Sequence, residues 1–338
     1  MDVKSVLKFL ITVPTLSGYE CEFSALIAEQ LKNHFHSVFT DKVGNIVIEK
    51  KSANKNAKKL LIDAHIDQIG MMVSQICENG FIRVSPIGGI DARTLPASDV
   101  IICGKNPIKA VIVSTPPHLS SKSEQKLCEA KDVLIDTSLS SEEAKRIISV
   151  GDAVIYDNGI SELLSDRISA PALDNKISAA AAISAMSDIS DASVDVRLLL
   201  SVREESGGFP GMKVGIYEYE PDYAIVTDVN FAHAKNVKER ESVIMGKGPS
   251  VSLSALTDRN FTNMIISIAN NKGIPIQRVV EASNLGTNGN VASIAGIGAI
   301  TANISLPLSN MHSTHECASL EDAENLKRLL VAVTENLK

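Results

Sequence analysis

Three runs of this chain, LLIDAHID (60–67), VRLLLSV (196–202) and DYAIVTDV (222–229), are apolar at almost every position rather than at alternate ones. A strand without a polar side has no solvent face, so such runs belong inside a sheet covered by helices on both faces. The covering helices are legible too. Val3, Val6, Leu7, Leu10 and Ile11 recur with helical spacing, as do Phe23, Leu26, Ile27 and Leu31, and DNKISAAAAISAM and FTNMIISIANN read as further helices. With strands at GNIVIEK and AITANISLP, helices and strands alternate, and the expected class is α/β.

One stretch breaks that alternation. From about residue 68 to 167 the chain changes to short β-like pieces, FIRVSPIGG, DVIICG, KAVIVS and DAVIYD, separated by Gly, Pro and Asp turns, and only SSEEAKRIISV looks helical. A chain of 338 residues is long for one core. The expected organisation is therefore an α/β domain of residues 1–67 plus 168–338, interrupted by a small β-rich domain at 68–167. Within the insertion, PPHL (116–119) reads as a proline-stiffened turn and SSKSEQK as a loop.

Composition removes several functions. The net charge of −7, without a long run of one sign, argues against a nucleic-acid partner. Five scattered cysteines with no C-x-x-C pair suit a reducing, cytoplasmic compartment. VLKFLITVP is too short for a membrane span, carries Lys8, and has no small-residue cleavage site after it, so neither membrane insertion nor export is expected. The absence of Trp and an aromatic content of 4% leave little for sugar stacking, which disfavours a glycosidase.

The apolar runs end in unusual residues. LLIDAHID places His65 and Asp67 two apart, hence on one face of a strand, where a carboxylate can hold one imidazole nitrogen and leave the other free for a metal. LLLSVREESGG ends in Glu204 and Glu205, and YAIVTDVN closes with Asp228. Asp174 opens the helix of PALDNKISAA, and His312 and His315 follow a late strand in LSNMHSTHE. Each has a plain structural explanation alone: a satisfied core histidine, a solvated Glu pair, an Asp N-cap. Together they make the imidazole and carboxylate mixture that a zinc-like divalent ion takes.

The motifs HIDQIG, IGGID, PPH, ALDN, REESGG, TDV, LGTN and MHS followed by Glu316 occur in the order found in the M42 metallo-aminopeptidases, and the chain resembles that family nearly end to end. These are the glutamyl and leucyl aminopeptidase relatives, some once labelled cellulases. The resemblance implies a mixed central sheet flanked by helices, of zinc-peptidase type, with an inserted β-barrel-like domain. It also implies two divalent ions, zinc or cobalt first and manganese as a third option, bridged by Asp174. His65 and Asp228 would complete one site, and Glu205 and His312 the other. Glu204 would be the general base, Asp67 would orient His65, and His315 would be a surface histidine. Short peptides would be the substrates, and dimers built through the inserted domain would assemble into a tetrahedral dodecamer. A two-metal deacylase and a non-catalytic scaffold are the alternatives. The sequence departs from the family pattern at Gln68, where a carboxylate is usual, at Lys176 in place of Arg, at Asn288 in place of Asp, and in an SGGFPG segment one residue longer.

Overall fold

A computed structural model describes residues 1–114, 133–234, 237–238 and 242–337, so PPHL and SSKSEQK lie outside the described residues. Among the described residues, eleven strands form one sheet, whose main path runs 38–40, 46–50, 195–201, 59–65, 223–231, 300–309, 316–319, 167–170, 161–163, with 250–253 attached beside 300–309 and 277–280 beside 250–253. The strands 195–201, 59–65, 223–231 and 300–309 are mutually parallel, and their outer partners 46–50 and 316–319 run antiparallel, giving the mixed sheet that was expected.

Both faces of the central strands are buried. Leu60, Ile62 and Ala64 pack into the larger core together with Leu198, Leu200 and Ile225, while Leu61, Leu199, Ala224 and Val226 pack on the opposite face. That division explains why these strands read as unbroken apolar runs. On the first face lies the helix Leu173–Asp188, buried from Leu173 to Met186 on every side and rich enough in alanine to sit close to the sheet. The helices Val3–Thr12 and Leu320–Asn336 pack against it, each started by a side-chain cap, Asp2 to the Ser5 N–H and Ser319 to the Asp322 N–H. Pro210–Tyr219 covers the second face.

The insertion is a closed barrel of six strands, ordered 70–76, 82–87, 134–136, 107–112, 99–103, 153–156, every pair antiparallel. It has its own core around Met71, Val73, Val84, Val100, Ile102 and Val154. Beyond Tyr156 the chain makes the hairpin Ser161–Leu163 and Arg167–Ala170, which pairs with Glu316–Ser319 and so belongs to the large sheet. Among the described residues, no helix is long and apolar enough to cross a membrane.

Candidate metal centre

Parallel strands that stop together create an edge where side chains converge. His65 is the last residue of strand 59–65, and its Nε2 lies 3.2 Å from Asp174 Oδ1 and 3.6 Å from Asp228 Oδ1. Its Nδ1 donates to the main-chain oxygen of Asp67 at 3.1 Å, with the Asp67 carboxylate at 3.6 Å. A backbone acceptor thus fixes the tautomer and leaves Nε2 free as a ligand. The Asp67 carboxylate accepts instead the N–H groups of Glu204 (3.1 Å) and Glu205 (3.0 Å). These two acids lie past the strand end at Ser201, in a turn, and Asp67 is the anchor of that turn.

Asp174 occupies the middle. Its Oδ1 faces His65 and its Oδ2 lies 3.4 Å from His312 Nε2, which in turn is 3.4 Å from Glu205 Oε1. Ligand atoms of His65, Asp174 and Glu205 all fall within 4.8 Å of one another. His312 stands in a left-handed conformation (φ 62°) in the turn after strand 300–309. Its Nδ1 donates to the Gly89 carbonyl (2.8 Å), and its N–H donates to Glu316 Oε1 (2.8 Å), while Glu316 Oε2 accepts the Asp174 N–H (2.9 Å). The fold thus brings His65, Asp67, Asp174, Glu204, Glu205, Asp228 and His312 together. His315 is exposed and beside Asn158 and Thr314, outside the cluster.

The charges fit cations. Burial raises Glu204 to about 9; His65 opposes the rise, and Asp228, Glu205 and Asp174 add to it. Burial also raises Asp228 and Glu205. Against the effect of burial, Asp174 and Glu205 lift His312 to about 11, and Asp228 and Asp174 lift His65 well above its ordinary range. A buried set with more carboxylates than imidazoles is strained by its own charge, and the donor types are those of zinc-like ions. The set fits such a group.

Roles unread in the sequence belong to Glu316, to Gly88 and Gly89, and to the cavity wall. A Cβ on Gly89 would lie 2.8 Å from His312 Nδ1, and one on Gly88 2.5 Å from Ile69 Cγ2, so IGGID lets the backbone approach both side chains. The three substituted positions among the departures from the family pattern also find places. Gln68 and Lys176 touch: the fully buried Lys176 ammonium donates to Gln68 Oε1 (2.6 Å) and to the Val13 carbonyl (2.8 Å). Asn288 donates to Asp63 Oδ2 (2.8 Å) and Ser201 Oγ (2.9 Å) beneath the histidine strand.

The cluster opens on a cavity of about 870 Å³ whose far wall includes Val279, Glu281, Leu285 and Thr287. That volume suits a small ligand or a chain end.

Comparison with known proteins gives the arrangement its setting. The model of the M42 glutamyl aminopeptidase family matches residues 44–329. A lysyl aminopeptidase of Pyrococcus furiosus is 31% identical over 98% of this chain and 97% of its own length. Among solved structures, an aminopeptidase of Desulfurococcus kamchatkensis superposes with a TM-score of 0.91 at 30% identity, covering 99% of this chain and 95% of that one. The TET1 peptidase of Pyrococcus horikoshii, which assembles into a tetrahedron or a large octahedral shell, gives 0.86 at 29% identity, with 99% and 100% covered. This chain is an aminopeptidase of the M42 family, a group of metal-dependent exopeptidases.

Proposed function

We propose that the chain removes N-terminal residues from short peptides at a dinuclear centre in which Asp174 bridges the ions, His65 and Asp228 complete one site, and Glu205 and His312 the other. The carrying observation is that the two oxygens of Asp174 face different histidines, each with a further carboxylate beside it. Bound there, two divalent ions, zinc or cobalt first and manganese as a third option, would supply Lewis acidity to a water and to the scissile carbonyl, and a grip on the free α-amine.

The protein's part is positioning and proton transfer. Glu204 lines the cavity and carries no direct hydrogen bond to His65 or His312, so its carboxylate is the group left to take a proton from water and return it to the departing amine. Its affinity for protons, raised by burial, is brought down by any cation placed among the same acids. Asp67 holds both glutamates through their N–H groups, so it serves the base and a ligand at once.

The barrel would act as the assembly domain, building dimers that come together as a tetrahedral dodecamer, a reading supported by the tetrahedron and the dodecamer recorded for TET1 relatives. The described cysteines are all free thiols, which suits a reducing cytoplasm.

The test is hydrolysis of free and N-acetylated aminoacyl anilides by metal-depleted protein, with zinc, cobalt or manganese restored, beside Glu204→Gln. Turnover of the free-amine substrates alone, falling about 1000-fold in the variant, is the expected result. Activity confined to acylated substrates would replace the reading with a deacylase, and silence from fully metallated protein would favour a scaffold.

A further inference from the structure

The family model and the Pyrococcus furiosus relative carry different residue names, glutamyl and lysyl, so the names do not decide which N-terminal residue this pocket takes. The cavity wall does bear on it. Glu281, just past the strand Gln277–Val280, is a half-buried carboxylate lining the same cavity as the metal cluster but standing outside the ligand set. Its Oε1 accepts the side-chain N–H of Asn230 at 3.1 Å, and its Oε2 accepts the Ser252 hydroxyl. Burial pushes the Glu281 carboxyl up from its ordinary range and Asp228 adds to the rise, while the Ser252 and Asn230 donors oppose it and fix the direction of the carboxyl. Among the described residues, no cation pairs with it.

Position separates this acid from the reacting atoms. Asn230 follows Asp228 by two residues on the strand Tyr223–Phe231, so both project from one face about 7 Å apart along the strand. Glu281, tethered to Asn230, stands one such step along the cavity from the ions' end. The same cavity is lined by apolar side chains, Val279 and Leu285 among them. An apolar sleeve ending in an oriented carboxylate matches a side chain with a methylene stem and a cationic head. A half-buried carboxylate with no counter-charge among the described residues is costly to keep, and a cationic ligand would supply one.

We propose that Glu281 selects peptides whose N-terminal residue is lysine or arginine, its carboxylate receiving the cationic head of that side chain while the α-amine is held at the metal centre. The inference rests on the aminopeptidase reading above and adds its substrate class.

The test compares kcat/KM for the p-nitroanilides of lysine, arginine, norleucine and glutamate in metal-loaded wild type and Glu281→Gln, a variant of the same shape that removes the charge, its amide oxygen still accepting from Asn230 and its amide N–H donating to the Ser252 hydroxyl. The wild type is expected to prefer lysine and arginine, and the lysine-to-norleucine ratio to fall about 100-fold in the variant. A wild type that prefers glutamate or norleucine overturns the proposal. So does an equal loss on all substrates, which would make Glu281 a holder of the α-amine. Calorimetric titration with lysine amide and norleucine amide reads the same selectivity without turnover. If no anilide is hydrolysed, the aminopeptidase reading fails, while tighter binding of lysine amide that vanishes in Glu281→Gln still supports the pocket, and equal binding of the two amides refutes it.

Discussion

The two halves of the proposed metal centre are built in opposite ways. His65 and Asp228 come from adjacent parallel strands, and the His65 side chain is 2% exposed, locked by core residues on both faces of the sheet. His312 comes from a turn, its side chain is 31% exposed, and its ring is held by a carbonyl of the Gly88–Gly89 segment that follows the barrel strand Ile82–Ile87. The first half is a product of the sheet, and the second of a contact between the sheet and the insertion. Rigid strands place a ligand with little further help, whereas a turn needs outside anchors, here Gly89 and Glu316. The inner half should therefore bind its ion more tightly.

Among the supports of the two halves, the residue they share should give the largest effect. Glu316 accepts the N–H groups of both Asp174 and His312, so Glu316→Ala frees the bridge and the outer ligand together. The expected loss is about 100-fold in kcat/KM and in affinity for the second ion, read by kinetics against added zinc. An effect confined to folding, with full activity in the folded fraction, would remove Glu316 from the centre.

Acid should come next and strike both halves, because His312 and His65 are each held well above the ordinary imidazole range. With His312 raised to about 11 in the ion-free chain, its ring carries a proton at neutral pH, and binding an ion there must release it. Below that value the apparent affinity should fall by about tenfold for each unit of pH lowered, to be followed by calorimetry at several pH values with proton release recorded. Gly89→Ala should cost about tenfold at the outer ion and little at the inner, because its Cβ would press on the His312 ring at 2.8 Å. His315→Ala, three residues from His312 but exposed, should change neither metal content nor stability, within about 0.5 kcal/mol by thermal unfolding.

The same contrast explains what could be read in advance. His65, Asp174, Glu204, Glu205 and Asp228 are visible because each interrupts or ends an apolar segment, and segment ends along parallel strands meet at one edge. The α/β class followed from strands with no polar face and the β-rich insertion from turn-separated short strands, while its barrel form was implied only by the family resemblance. The supports were hidden. That Asp67 spends its carboxylate on the Glu204–Glu205 turn and its carbonyl on His65 depends on how that turn folds back, which spacing does not encode. Gly89, His312 and Glu316 are joined across more than two hundred residues of chain. Gln68 and Lys176 looked like separate departures until the fold put one against the other. Ser161–Leu163, fully exposed and polar in two of its three residues, carries no core pattern, and only pairing shows which sheet it joins.

Counting ions tests the central claim most directly. Metal content and zinc titration of wild type, His312→Ala and His65→Ala should give two ions for the wild type, the second weaker. His312→Ala should keep one tightly bound ion, and His65→Ala should lose the tight site. One ion at saturation in the wild type, or two still bound in His312→Ala, would contradict a centre bridged by Asp174 with a strand-built and a turn-built half.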